Sequence, residues 1–340
     1  MKTLILHSLV FTLIVGWLGG CGSDQDQQTE SDEEKGELQE ELKVASWSQH
    51  ITEQTNLLVD EEKSFFREQG IDLTVIPGQG GGDAIKNILT GKADVAFTDP
   101  GSLFFALDKG EDLRVIYNIY PQNVFNVVAL KESGITKPAD LKGKKIGVYS
   151  LSSGTRQNLL ILLNQVGLTE DDVDIVETGL LNFAPLMQGK VDATAATDTG
   201  LFIGKQKSLG EVNVMEVKDH LNFPSDLFVV TEDVFQQKKG QLQKFLTGYR
   251  NSAAWMMKSP EEAAKLAQEY TTDGKDIENN MEIIKLRNKS SVSSLTEKKG
   301  LGTIDTEKLQ RAADTYKQLD LIDKSLNMEE VVNTELLPAK

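Results

Sequence analysis

Two Thr-Asp pairs, Thr98-Asp99 and Thr197-Asp198, each close a short, mostly apolar run and stand where a new helix is expected to begin. Carboxylates so placed can accept hydrogen bonds from an amine or an aminopyrimidine, or they can only cap the helices that follow. In a closing cleft they would penalise an anion such as nitrate or a sulfonate unless compensated. A second group is Ser150-Leu151-Ser152-Ser153-Gly154-Thr155, in which hydroxyls and backbone amides converge on the start of a helix after a strand. It reads either as a ligand contact or as simple capping. A third is Gly78-Gln79-Gly80-Gly81-Gly82-Asp83, whose amides are free to meet an anion or carbonyl unless the segment is only a flexible turn capped by Asp83. It is not a nucleotide-binding glycine motif: Asp83 stands where the last glycine should be, and no Gly-Lys-Ser/Thr follows. Trp47, Tyr120, Tyr149, Phe183 and Phe223 fall near strand ends, where rings can clamp a planar ligand or simply fill a core. Trp47 leads this set because the polar stretch Ser48 to Asn56 follows it. The candidate ligand contacts are therefore Trp47, Gly80, Gly81, Asp99, Asn123, Ser152, Ser153, Thr155 and Asp198. A serine nucleophile would need an adjacent base. Beyond the first twenty residues only His50 and His220 remain, both in expected loops and without metal-ligand spacing. No catalytic residue, metal site or cofactor is expected.

The elements that must position these residues occur twice. Ile88-Leu89-Thr90-Gly91-Lys92-Ala93-Asp94 is echoed by Leu186-Met187-Gln188-Gly189-Lys190-Val191-Asp192, Gly70 by Gly167, and Lys43-Val44 by Lys145-Ile146, at separations of 97 to 102 residues. That is too long for a solenoid repeat and reads as two similar lobes. Each copy runs strand, helix, strand, helix, strand, which implies a mainly parallel sheet flanked by helices and an α/β fold. In the first copy the expected strands are Val44 to Trp47, Leu73 to Ile76 and Val95 to Phe97, with a helix carrying Leu58, Phe65 and Phe66 and ending at Gly70. In the second they start at Ile146 and Ile175. In such sheets ligands bind beyond the carboxyl ends of the strands, so two facing lobes make a cleft. The chain crosses between lobes at Pro121 to Asn123 and again at His220 to Pro224. Beyond Thr231 the chain is expected to be helical, packing only and without site residues.

The amino terminus sets an address. A short apolar leader ends in Leu18-Gly19-Gly20-Cys21, and Cys21 is the single cysteine of 340 residues. The leader is too short to cross a bilayer easily. Small residues before a cysteine resemble the lipobox of bacterial lipoproteins, which implies cleavage before Cys21 and its lipidation. The alternative is an ordinary secretory leader with an incidental cysteine. Nine acids and one base lie between Gly22 and Glu41, half of a formal net charge of −16. That stretch, rich in Gln and Ser and without aromatics, reads as a disordered tether. The acidic balance argues against nucleic acid, and 39% hydrophobic residues suffice for a core. The expected organisation is a signal peptide over 1–20, a tether over 21–41, lobe I from 42–124 and 222–340, and lobe II from 125–221.

Three segments, FFREQGIDLTVIPGQGGGDAIKNILTGKADVAFTD, ITKPADLKGKKIGVYSLSSGT and VGLTEDDVDIVETGLLNFAPLMQGKVDA, resemble type II periplasmic solute-binding proteins. More narrowly they resemble the SsuA/THI5-like (NMT1/THI5-like) group serving nitrate, sulfonate, taurine and pyrimidine-precursor ABC importers. The resemblance spans about Leu42 to Thr231 and holds only loosely beyond. It implies a Venus-flytrap fold with a helical carboxyl-terminal extension, a small ligand between the lobes, and delivery by a lipid-anchored extracytoplasmic monomer to a membrane permease and its ATPase. Within that frame a thiamine-type pyrimidine precursor is the leading ligand and an alkanesulfonate, taurine or nitrate the alternative. The THI5 branch also contains pyrimidine synthases, but those carry a cysteine-rich motif that this chain lacks. A lipoprotein that presents ligand to a receptor is a third reading.

Overall fold

The computed structural model describes residues 39–179 and 183–339, so the leader, Cys21 and the acidic segment up to Leu38 lie outside the described residues. Among the described residues, ten strands form two five-stranded sheets. The first contains β1 (Glu40–Ala45), β2 (Ile71–Ile76), β3 (Val95–Thr98), β4 (Leu113–Tyr120) and β10 (Asp226–Thr231), in the order β2-β1-β3-β10-β4. The second contains β5 (Phe125–Leu130), β6 (Lys145–Val148), β7 (Asp174–Glu177), β8 (Ala193–Thr197) and β9 (Val212–Glu216), in the order β7-β6-β8-β5-β9. Central strands such as β3 are buried along their whole length, whereas the edge strand β2 alternates between Ile71, inside, and Asp72 and Thr74, outside. That is the pattern of a sheet covered fully at its centre and partly at its rim.

The two sheets share one plan. Three strands run parallel, β2-β1-β3 in one and β7-β6-β8 in the other. The fourth is antiparallel, β10 in the first and β5 in the second, and it pairs antiparallel again with the last strand. In each sheet the reversed strand is the one that has just arrived from the other lobe. The structural repeat thus extends beyond the sequence echo to the strands that follow the two crossovers.

One expected helix is absent. The segment from Thr55 to Gly70 is a series of single turns, Thr55–Leu58, Asp60–Lys63 and Arg67–Gln69. Ser64 adopts a left-handed conformation at φ 57°, which ends the second turn. The Asp60 carboxylate then accepts from the Phe66 amide at 2.7 Å and the Arg67 amide at 3.2 Å, giving the backbone a local alternative to helix. Phe66 is still buried, stacked on Phe245 at 5.6 Å. β1 also begins earlier than expected, at Glu40, which pairs with Ile71 inside the segment read as tether.

Four helices, Gly81–Leu89, Pro100–Asp108, Gly154–Asn164 and Asp198–Gln206, follow β2, β3, β6 and β8 and start near those strands' carboxyl ends. The carboxyl-terminal helices cover the first sheet: Lys239–Lys258 buries Phe245 and Tyr249 against Phe228, with ring centroids at 5.1 and 4.7 Å. Among the described residues no helix is long and apolar enough to cross a membrane.

Candidate functional site

A cavity of about 970 Å³ lies where strand ends of both sheets meet. Its buried end is lined by Trp47, Glu53, Asp99, Phe125, Asp226 and Arg287, and its exposed end by Met187, Gln188, Lys207, Lys275 and Asp276. β1 delivers Trp47, whose indole meets Phe97 and Tyr149 edge-on at 6.3 and 6.2 Å. β3 delivers Asp99, β10 begins at Asp226, and β8 leads into Thr197 and Thr199.

Arg287 dominates the electrostatics and is 1% exposed. Its Nε donates to Glu53 at 2.6 Å, one terminal nitrogen to Asp198 at 2.7 Å and the other to the Thr199 hydroxyl at 2.7 Å. The guanidinium also lies over the Tyr120 ring at 5.3 Å. Burial opposes its charge, but the Asp198 and Glu53 carboxylates outweigh burial and hold its pKa above the ordinary arginine value. Three of the five N–H groups of the planar fork are thereby given to protein acceptors.

Asp99 caps the Pro100–Asp108 helix, one oxygen accepting from the Ser102 amide at 2.9 Å and the other from its hydroxyl at 2.7 Å. Burial raises its pKa, and the Ser102 bonds oppose the rise. Asp226 differs. It is 6% exposed, lines the cavity, and no described residue hydrogen-bonds its carboxyl. Burial raises its pKa well above the usual carboxylate range, the negative charges of Glu53 and Asp99 add to that, and Arg287 offsets part of it.

Of the residues singled out from sequence, Trp47, Gly80, Gly81, Asp99, Ser153 and Thr155 line the cavity. Asn123, Ser152 and Asp198 do not. Asn123 binds the two crossovers together: its amide nitrogen donates to Leu221 O at 3.2 Å and to Asn158 at 2.9 Å, and its backbone N–H to Asn222 at 3.0 Å. Ser152 joins lobe to lobe, its carbonyl accepting from the Gly82 amide at 2.9 Å. Asp198 is occupied by Arg287. The glycine-rich loop is not an open amide nest either, since the Gly80 amide donates to Trp47 O at 2.7 Å and the Gly82 amide to Ser152. Gly80 instead allows close approach: at φ 129°, a Cβ there would come within 2.7 Å of Ser150 Oγ and Ser152 O. Ser153 and Thr155 share a hydrogen bond of 2.6 Å and tie the loop to Ser150 and Tyr149. Ser153 gives no side-chain cap to the Gly154–Asn164 helix.

Glu53, Asp226 and Arg287 were not expected from sequence, and Arg287 overturns the reading of the carboxyl-terminal helices as packing only. The signal for Arg287 is its spacing: with Asn280, Ile283 and Ile284 it occupies the buried face of the Ile277–Ser290 helix. Glu53 and Asp226 carry no comparable local signal.

Relatives agree with this architecture. A protein of Haemophilus influenzae named for thiamine biosynthesis is 24% identical over 275 residues, covering 81% of this chain and 85% of its own. The riboflavin-binding protein RibY of Chloroflexus aurantiacus is 21% identical, covering 81% and 80%. Among solved structures, the alkanesulfonate-binding protein SsuA of Xanthomonas axonopodis pv. citri superposes with a TM-score of 0.67 at 15% identity, covering 86% of this chain and 98% of its own. The fold is that of the periplasmic binding proteins. The sequence profile described as NMT1/THI5 like matches residues 51–263, reaching from the Glu53 turn through both crossovers. The chain belongs to the NMT1/THI5-like family.

Proposed function

We propose that this protein is the ligand-capture component of an ABC importer, held on the extracytoplasmic face of the membrane through lipidated Cys21, and that its ligand is a thiamine-type aminopyrimidine precursor. The observation that carries the ligand class is the division of charge at the buried end of the cavity. Arg287, the cation there, gives hydrogen bonds to Glu53, Asp198 and Thr199, while no described residue donates to the Asp226 carboxyl. A sulfonate or nitrate would need a free cation in that place. An aminopyrimidine brings N–H donors and a planar face instead, suited to Asp226 and to the Trp47, Phe125 and Tyr149 rings that line the same cavity. The uncapped start of the Gly154–Asn164 helix suits a carbonyl or formyl oxygen on the ligand. The name of the Haemophilus influenzae relative points to the same chemistry.

Delivery to a permease and ATPase is the role that the family and the fold support. Calorimetric titration tests the ligand class: the wild type should bind an aminopyrimidine and give no heat with taurine. Asp226→Asn should weaken pyrimidine binding roughly ten- to a hundredfold, the loss expected when a buried charge-assisted hydrogen bond is broken. Tight taurine binding that Asp226→Asn leaves unchanged or improves, with no pyrimidine heat, would overturn the ligand class and leave the transport reading in place.

A further inference from the structure

Glu53, Asp99, Asp226 and Arg287 share the buried end of the cavity, and their partners divide them. Glu53 and Arg287 meet at 2.6 Å, and the two Asp99 oxygens take the amide and the hydroxyl of Ser102 at 2.9 and 2.7 Å. No described residue donates to the carboxyl of Asp226, which is 6% exposed where the second crossover enters β10.

The titratable groups facing Asp226 come from the elements packed around it. Glu53 stands in the turn after β1, Asp99 at the head of the Pro100–Asp108 helix, and Tyr120 opposite Asp226 in register on β4. Tyr249 comes from the Lys239–Lys258 helix and Arg287 from the Ile277–Ser290 helix. Burial pushes both tyrosine hydroxyls above the usual phenol range, so they stay neutral. With every carboxyl ionised, Glu53, Asp99 and Asp226 would outnumber Arg287 three to one at this end of the cavity. An excess of buried negative charge is costly. Burial, and then the like charges of Glu53 and Asp99, accordingly strengthen the hold of Asp226 on a proton.

A carboxyl facing the edge of an aminopyrimidine can make two parallel hydrogen bonds. One oxygen accepts from the exocyclic amino group, and the other meets the lone pair of the adjacent ring nitrogen. Two lone pairs repel, so the second bond needs one proton, carried either by the oxygen or by the ring nitrogen. We propose that Asp226 reads this edge of its ligand by sharing one proton with it, which makes capture proton-linked. This rests on the aminopyrimidine reading above and adds to it the protonation state in which the ligand is held. The proton comes from solvent, and no covalent bond between heavy atoms changes. Linkage then sets the pH response. Where free protein and free ligand are both deprotonated, binding takes up a proton and affinity falls by about tenfold per pH unit toward alkali. Where both arrive protonated, binding releases one and affinity falls toward acid. The optimum lies between the pKa values of the two partners.

The test is calorimetric titration of an aminopyrimidine bearing a hydroxymethyl group into the wild type and into Asp226→Asn, whose thermal melt confirms folding. Running it at pH 9 in Tris and in borate, which differ in heat of ionisation, counts the protons exchanged. The wild type should take up a proton at pH 9, approaching about one per site, and its affinity should fall between the optimum and pH 9. The Asn amide can make both bonds without a charge. Binding by the variant should therefore be weaker at the optimum, without proton uptake and without the alkaline fall. Wild-type binding with no proton uptake and a flat affinity up to pH 9 would overturn proton sharing while leaving the aminopyrimidine reading intact. Uptake that survives in Asp226→Asn would do the same. Binding of no aminopyrimidine would overturn both.

Discussion

The lobes meet across the cavity along two seams built from opposite materials. On one side the contact is neutral: the Ser150 and Ser152 hydroxyls donate to the Gln79 carbonyl, the Gly82 amide donates to Ser152 O at 2.9 Å, and the Tyr149 hydroxyl donates to Gly78 O at 3.4 Å. On the other side Arg287, with Glu53 from the first lobe, grips Asp198 and Thr199 at the end of β8 in the second. Neutral hydrogen bonds that water can replace are each worth only about 0.5–1.5 kcal/mol. A buried ion cluster gives little net stability when complete but costs far more when half of it is removed. The neutral seam is therefore suited to opening and closing, and the ionic seam to registering one closed geometry. The ionic side also accounts for Asp198, the carboxylate legible at a strand end, whose oxygen meets Arg287 at 2.7 Å and which does not line the cavity.

The largest effect should come from the ionic seam. Arg287→Ala leaves Glu53 and Asp198 without their cation and should destabilise the protein by about 3–5 kcal/mol in urea unfolding. A loss below about 1 kcal/mol would mean that the cluster is too well hydrated to set the geometry. On the neutral seam, Gly80→Ala forces a Cβ to within 2.7 Å of Ser150 Oγ and Ser152 O at a φ of 129°. We expect it to hold the lobes apart at a cost of about 1–3 kcal/mol, an overpacking penalty. Small-angle scattering should show a larger radius of gyration than wild type, and identical scattering would show that the seam accommodates a methyl group.

The smallest effect concerns Asp226 and the like charge of Glu53 beside it. Its raised pKa means that the folded state resists its ionisation, so its favourable contribution is complete below the ordinary carboxylate range and is lost as pH rises through the raised value. Asp226→Asn should therefore stabilise the ligand-free protein at pH 8 by on the order of 1 kcal/mol, the lower end of the penalty for an unpaired buried acceptor, and so raise its melting temperature. The gain should vanish near pH 4. A variant that melts lower than wild type at pH 8 would mean that the carboxylate has a partner in the folded protein. Together with its expected loss of ligand, this would make Asp226 a residue whose stability cost serves binding.

The fold was legible because its signals are local and repeated. Alternation marks β2, an apolar run marks β3, and the second copy repeats the first closely enough to show two similar lobes, though the reading of a mainly parallel sheet left out the reversed strands β5 and β10. The cavity's address was legible too, since strand ends bearing Trp47, Asp99, Ser153 and Thr155 converge as the topology requires. What sequence hid are long-range assignments of charge. Arg287 and Glu53 are 234 positions apart, and no spacing rule links a turn after β1 to a helix near the carboxyl terminus. Asp60 broke a helix that Leu58 and Phe66 support by periodicity, because its carboxylate outbid the helix for two amides. In the same way, Asp99 was rightly placed at the cavity but is spent on its own helix.

Asn123, first taken for a ligand contact, has a mechanical consequence. Two separate strips of chain joining two bodies would permit them to twist and shear as well as bend. Here the first strip is stitched to the second through Leu221, Asn222 and Ser225, whose hydroxyl accepts from the Val124 amide at 3.0 Å. The same side chain is pinned to Asn158 in the body of the second lobe. The pair of strips then acts as a single flexure with one soft rotational coordinate. Any movement of one lobe against the other is thereby steered toward bending, with twist and shear resisted by these bonds.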